Sequence, residues 1–184
     1  MTQQQTDKRA PMAAAPLRYT PEGAVAWGEM WDTFCALAQE GGPPHRGTLL
    51  QPLEQEHPDS PAYRAAAAEI ARGIREVSGL TAVPGDPGWL AVRCDSPTMA
   101  RWLSEAIVAE LVAARCDGPI LLVPVGAAYT LTGEIKNVVT VVAKTTHYWH
   151  EHLPVEVKQT LVAQARLAGL AKGMRGWFRR LARQ

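Results

Sequence analysis

Three stretches of the chain repeat apolar residues at helical spacing, and each begins with a hydroxyl residue followed by proline. These start signals are Thr20-Pro21, Ser60-Pro61 and Ser96-Pro97. The hydroxyl can accept a hydrogen bond from an unpaired backbone N–H group, and proline at the first helical position loses nothing by lacking its own. The pattern predicts three helices that end at Gly41-Gly42, near Gly79 and near Asp117-Gly118.

Short runs of β-forming residues lie between these helices. Residues 80–83 and 89–94 flank the loop Pro84-Gly85-Asp86-Pro87-Gly88, which is typical of a hairpin connection. Residues 119–125 and 128–131 flank Gly126 and predict a second hairpin.

The segment 134–153 has mixed signals. Its valines favour a strand, but a helical projection gathers Lys136, Thr140, Lys144, His147 and Glu151 within an arc of about 80°. We therefore expect a helix whose polar side is a solvated face. The sequence predicts an α+β fold: a two-layer sandwich with a ββαββα core and a mostly antiparallel sheet, flanked by two N-terminal helices and a C-terminal amphipathic helix. Residues 1–18 are expected to be a disordered tail, 19–153 a single domain and 154–184 the C-terminal helix.

The composition is that of a globular protein, with 47% hydrophobic and 20% charged residues. No apolar run approaches the length needed to span a bilayer, and the N-terminus lacks the apolar core of a secretory signal. The three cysteines, Cys35, Cys94 and Cys116, are far apart and odd in number, which argues against a disulfide framework. These features predict a cytoplasmic protein, and no motif calls for a cofactor.

Charge is distributed unevenly along the chain. Residues 158–184 contain seven basic residues and no acidic one, so the remainder carries −6, because the whole chain carries +1. The predicted terminal helix has an aromatic and aliphatic apolar side opposite its basic side, as in helices that dock on partners or membrane surfaces. The residues expected to make this contact are Lys172, Arg175, Trp177, Phe178, Arg179, Arg180 and Arg183. The alternative is that the helix packs on its own domain. Nucleic acid is not favoured as the partner because residues 1–157 are acidic overall. Association of several copies of the chain is a further alternative.

The loop from Gly41 to Thr48 is the first candidate for a small-molecule site. Two glycines and two prolines fix its path, and His45, Arg46 and Thr48 follow within four positions. Arg46 and Thr48 are predicted to bind a carboxylate or phosphate, and His45 to transfer a proton. The loop is not a P-loop, because it lacks the glycine spacing and the terminal Lys-Ser/Thr. The alternative is a stiff turn with both side chains in solvent.

The second candidate lies on the predicted helix. His147 and His150 are the possible metal ligands there, although their spacing does not match the HExxH motif. Lys136, Lys144 and Tyr148 are predicted ligand-binding residues, with His147 as a second candidate for proton transfer. Ordinary histidines at a helix C-terminus would give the same pattern.

Two functions therefore compete at the level of sequence. The first is a non-catalytic binding or regulatory domain whose basic C-terminal helix engages an acidic protein partner or a membrane surface. The second is an enzyme or small-anion-binding protein that joins the His45/Arg46 loop to the Lys144/His147/His150 helix face. The sequence contains neither the GxSxG motif of serine hydrolases nor a GxGxxG dinucleotide motif after a strand.

Overall fold

The computed structural model describes residues 17–29, 48–53 and 55–164. The elements run in the order α1 (Pro61–Ser78), β1 (Thr81–Pro84), β2 (Trp89–Arg93), α2 (Pro97–Ala109), β3 (Arg115–Asp117), β4 (Ile120–Pro124) and α3 (Lys136–His147). A π-helical turn, Leu131–Ile135, leads into α3, and a second one, Tyr148–His152, follows it. A further helix, α4, covers residues 155–164. The predicted α+β class and the ββαββα element order are confirmed.

The four strands form one antiparallel sheet in the order β1-β2-β4-β3. Because side chains alternate along a strand, each strand presents one set of residues to the helices and another to the opposite side. The inner, helix-facing side is a continuous apolar layer made of Leu90, Val92, Leu121 and Val123, of which none is more than 1% exposed. This layer is the main contact between the sheet and the helices.

Helix α1 begins and ends as its sequence predicts. The Ser60 hydroxyl accepts a hydrogen bond from the Tyr63 N–H group at 3.2 Å, and Pro61 takes the first helical position. Gly79 ends the helix with φ +72°, a conformation that glycine adopts without steric cost. Ser96 caps α2 in the same way by accepting from Met99.

Helix α3 packs against both α1 and α2. It approaches α1 closely at Gly73, where an added Cβ atom would lie 2.7 Å from a methyl group of Val139. Residues on nearly every side of α3 are buried, including Val138, Val139, Val142 and Ala143. Its valines therefore serve a central helix rather than a strand, as the helical projection predicts.

The predicted end of α2 and the predicted second hairpin are wrong. Helix α2 stops at Ala109, and Leu111 follows with φ +60°. The backbone of Leu50 then pairs with this segment, since its N–H donates to Leu111 and its carbonyl accepts from Ala113. Residues Arg115–Asp117 consequently form β3, and the second hairpin joins β3 to β4 through Gly118. Leu131 begins a π-helical turn instead of ending a strand.

The first predicted helix start is also wrong. Thr20 and Pro21 belong to a tight turn in which the Thr20 N–H group donates to the Ala24 carbonyl at 2.7 Å, and Tyr19 bridges to Val25. Helical structure begins at Trp27, whose side chain is fully buried. The hydroxyl-proline pair belongs to a turn that the Gly23 N–H group also closes, by donating to the Thr20 carbonyl at 2.9 Å.

The chain divides into two compact units, one ending at His147 and the other beginning at Tyr148. In the first unit, the segment before α1 and the first turn of α1 are each hydrogen-bonded to a loop that adjoins a strand. Glu56 accepts a hydrogen bond from the Ala127 N–H group at 3.1 Å, and the Tyr63 hydroxyl accepts one from Gly88 at 3.0 Å. Among the described residues, every helix is too short or too polar to cross a lipid bilayer.

Candidate functional site

The predicted solvated face of α3 is buried at its first two positions. Lys136 is 4% exposed, and Thr140 is completely buried with its hydroxyl donating to the Lys136 carbonyl. Burial lowers the pKa of the Lys136 amine, because the charged form loses water. The prediction fails because a 3.6-residue period separates polar from apolar residues but does not show which side meets another element.

Lys144, the second predicted anion-binding lysine, is already paired. Its Nζ atom lies 2.5 Å from Oε1 of Glu110, and the two side chains are 21% and 12% exposed. Glu110 follows the last residue of α2, so the pair joins α2 to α3. Because the carboxylate neutralises the ammonium, Lys144 reaches an anionic ligand only in competition with Glu110.

The end of the predicted anion-binding loop lies at the same end of α2. Thr48 is exposed and stands two residues before Leu50, which is hydrogen-bonded to both Leu111 and Ala113. Glu110, the partner of Lys144, directly precedes Leu111 in the chain. Thr48 therefore comes two residues before a backbone contact with the residue that follows Glu110. His45 and Arg46 lie outside the described residues.

The remaining candidates of the α3 region fall in different units. His147 ends the first unit and is partly exposed. Tyr148 and His150 lie in the second unit, where the Tyr148 side chain is 50% exposed and its ring centroid is 5.3 Å from that of His152. The His150 carbonyl accepts a hydrogen bond from Lys158 at 3.3 Å.

The described part of the C-terminal segment is a helix, as predicted. In α4, Val155 is 61% and Val157 is 43% exposed. A shallow depression of about 400 Å³ follows the face of this helix that carries Val155, Lys158, Gln159, Val162 and Ala163. The predicted partner-binding residues Lys172, Arg175, Trp177, Phe178, Arg179, Arg180 and Arg183 lie outside the described residues.

The outer face of the sheet carries apolar residues that were not predicted from the sequence. The strand register aligns Val83, Ala91, Leu122 and Arg115 in one row across all four strands. The next row consists of Thr81, Arg93, Ile120 and Asp117. Val83 is 51% exposed, while Ala91, Ile120 and Leu122 are partly exposed. The sequence signal was the unbroken apolar run of β4, because adjacent apolar residues in a strand point to opposite faces.

One arginine crosses this outer face. The guanidinium carbon of Arg115 lies 4.3 Å from the ring centroid of Trp89, a cation–π geometry. A nitrogen of the same group is 3.6 Å from a carboxylate oxygen of Asp86 in the β1–β2 loop. Arg115 on one edge strand is thus tied to the hairpin at the opposite edge of the sheet.

A separate groove of about 530 Å³ lies between the first residues of α1 and the turn around Ala24. It is lined mainly by small apolar side chains, including Ala62, Ala65 and Ala66. Its acidic residue, Glu69, is used in the fold, since it accepts a hydrogen bond from the Trp27 indole at 2.9 Å and pairs with Arg72. The groove therefore has a mainly apolar lining, and the carboxylate of its acidic residue is already bonded within the fold.

Comparisons with models of known protein families, with curated proteins and with solved structures give no match to this chain. The residues and their geometry are therefore the basis for what the protein is proposed to do.

Proposed function

We propose that this protein is a non-catalytic binding domain whose basic C-terminal segment engages an acidic surface, on a protein partner or a membrane. The observation that carries the proposal is the charge segregation. Residues 158–184 hold seven basic and no acidic residues, while the rest of the chain carries −6. Such a segment is attracted to an acidic surface from a distance set by ionic strength.

The start of the C-terminal segment supports this proposal. Val155 and Val157 are exposed, although burial of each would remove apolar area from solvent. Exposed aliphatic residues beside basic ones are typical of helices that bind surfaces through both the hydrophobic effect and charge.

The lysines of α3 favour binding over catalysis. An enzyme of the alternative kind needs Lys136 and Lys144 to hold an anionic substrate, but Lys136 is 4% exposed and Lys144 is paired with Glu110. Both residues contribute to the packing of α3, so their charges are a weak indication of an active site.

The test measures binding of the full chain to lipid vesicles and to an acidic peptide. The probes are phosphatidylcholine vesicles with and without phosphatidylserine, and poly-glutamate for an acidic protein surface. We expect binding to at least one acidic probe, and its loss at high salt. Replacement of Arg175, Arg179, Arg180 and Arg183 by glutamine should abolish binding, whereas replacement of the same four by lysine should preserve it.

The lysine variant is the matched control, because it keeps the charge and changes only the side-chain shape. Thermal unfolding of both variants should match that of the native chain. Binding of the glutamine variant at native strength, or binding of the native chain to neither acidic probe, would refute the proposal.

A second candidate function rests on the position of Thr48. Thr48 comes two residues before Leu50, which is hydrogen-bonded to the residue after Glu110, and this supports as an alternative an anion held by Arg46 and Lys144. Inorganic phosphate, measured by titration calorimetry, is the probe. If Lys144 is an anion ligand, Glu110→Gln should strengthen phosphate binding by releasing the ammonium, and Lys144→Met should remove it. Indifference of all three proteins to phosphate would eliminate this candidate.

A further inference from the structure

The centre of the outer sheet face is an apolar strip. Val83, Ala91 and Leu122 stand side by side in one row of three neighbouring strands. Val83 is about half exposed, and Ala91 and Leu122 are partly exposed, in contrast to the buried residues of the inner face. Apolar side chains gathered in such a strip gain by leaving water together.

The charges around this strip are balanced. Arg93 and Asp117 belong to the adjacent row, with Ile120 between them. The two charged residues are two strands apart, which corresponds to about 10 Å. Arg115 and Asp86 form the second pair of opposite charges on the same side. The face therefore presents two positive and two negative side chains.

From this arrangement we propose that the outer sheet face binds a second copy of the same chain. A twofold axis parallel to the strands, between β2 and β4, exchanges these central strands and places β3 of the second copy over β1. Asp117 of the second copy then stands opposite Thr81, one strand away from Arg93. By symmetry the same contact forms twice, as in any twofold interface.

Charge complementarity selects a second copy over a polyanion. A nucleic acid or an acidic peptide would meet Asp86 and Asp117 as well as the two arginines, so its attraction would largely cancel. The face is complementary to itself at Arg93 and Asp117, because in the twofold arrangement each Asp117 lies one strand away from Arg93 of the other copy, while Arg115 and Asp86 stay paired within each copy.

The size of the face sets the strength of the contact. Four strands about 4.8 Å apart, with three to five residues each, cover roughly 250 to 300 Å² per copy. A standard stable interface buries about 800 Å² per partner. We therefore expect a weak, reversible dimer that forms as the protein concentration rises.

The experiment is sedimentation equilibrium of the full chain across a wide range of protein concentrations. The native chain should show a reversible monomer–dimer equilibrium. Val83→Lys should weaken it at least about tenfold, because it places a charge at the most exposed residue of the apolar strip. The matched control is Val108→Lys on α2, since Val108 is 43% exposed and lies off the sheet. This variant should dimerise like the native chain.

A charge exchange tests the twofold arrangement itself. Arg93→Asp and Asp117→Arg should each weaken the dimer, because each creates like charges across the interface. The double variant restores opposite charges and should recover most of the native association. Both residues are exposed, so unchanged circular dichroism and melting temperatures will show that the variants fold.

A native chain that is monomeric at every concentration would overturn the proposal. Dimerisation of Val83→Lys at native strength would also overturn it, since association would then use another surface. Failure of the double charge exchange to recover association would reject the twofold arrangement and with it the proposed interface.

Discussion

On the inner face of the sheet, Leu121 is completely buried under the helices, whereas its neighbour Leu122 on the outer face remains partly exposed. The two residues have the same side chain, belong to the same strand and differ only in the side to which they point. The inner face packs against the helices, whereas the outer face leaves apolar side chains partly exposed to solvent. The difference separates residues that maintain the fold from residues available for binding.

The largest expected effect on the free energy of unfolding comes from replacing these two leucines one at a time. Leu121→Ala should lower the free energy of unfolding by about 2 to 5 kcal/mol, because it leaves a cavity in a closely packed layer. Leu122→Ala should cost less than about 1.5 kcal/mol, since the outer side can collapse and part of the side chain is already in water. Urea unfolding of both variants measures the difference. Equal losses would mean that both faces of β4 are sealed.

The Glu110–Lys144 ion pair joins α2 to α3 in the helix layer. Removal of this pair should have the next largest effect on the free energy of unfolding. Lys144→Met should lower stability by about 1 to 3 kcal/mol, because Glu110 keeps its charge at a site that is only 12% exposed. Adding Glu110→Gln should recover part of the loss. Arg101→Met is the control, since its partner Glu105 is 65% exposed and the pair should contribute little. Equal effects of Lys144→Met and Arg101→Met would show that the inner pair is solvated.

The contact between α1 and α3 predicts a smaller loss. Gly73→Ala places a methyl group 2.7 Å from Val139 and should cost about 1 to 3 kcal/mol of strain, partly offset by about 1 kcal/mol of helix propensity. Val139→Ala makes room, so the double variant should lose less than the sum of the single losses. Additive losses in thermal or urea unfolding would mean that the helices can separate without cost.

Local signals predicted much of the fold. The caps at Ser60 and Ser96 form as expected because they depend on residues within one turn. The β1–β2 hairpin follows from a loop rich in proline and glycine. The helical nature of α3 follows from its 3.6-residue period, which outweighs the strand preference of its valines.

The errors arise where distant parts of the chain decide the structure. The apolar period of α2 continues to Leu111, but this residue adopts a left-handed conformation that glycine usually takes, and Leu50 holds the segment from another part of the chain. Glu110 and Lys144 are 34 residues apart in sequence, so a pattern along one helix cannot reveal their contact.

The candidate site was predicted less completely than the fold. The register that assembles Val83, Ala91 and Leu122 exists only once β2 pairs with β4, although an intervening helix and β3 separate those strands in sequence. The apolar run Ile120 to Val123 indicated two apolar faces, but not which residues would join them. The roles assigned to His45, Arg46 and the terminal arginines stay predictions.

Two cysteines on the inner side of the sheet differ in burial. Cys94 is buried after β2, whereas Cys116 is exposed on the edge strand β3. Burial raises the pKa of the Cys94 thiol from 9.0 to about 12, with a smaller contribution from the Asp95 charge. The thiolate is the reactive form, so iodoacetamide at pH 8 should alkylate Cys116 and leave Cys94 unmodified until the protein is unfolded. Peptide mapping by mass spectrometry distinguishes the two sites.

The raised pKa of Cys94 in the folded chain also predicts how the free energy of unfolding depends on pH. Because the folded chain holds the Cys94 proton to about pH 12 and the unfolded chain releases it near pH 9, the contribution is complete below pH 9 and is lost as the pH rises toward 12. The slope from this one group is at most about 1.4 kcal/mol per pH unit. Cys94→Ala should remove it, and Cys116→Ser should leave it unchanged. Rapid alkylation of Cys94 in the folded protein would show that the inner face opens to solvent near β2, and the contrast between the two faces would then be one of degree.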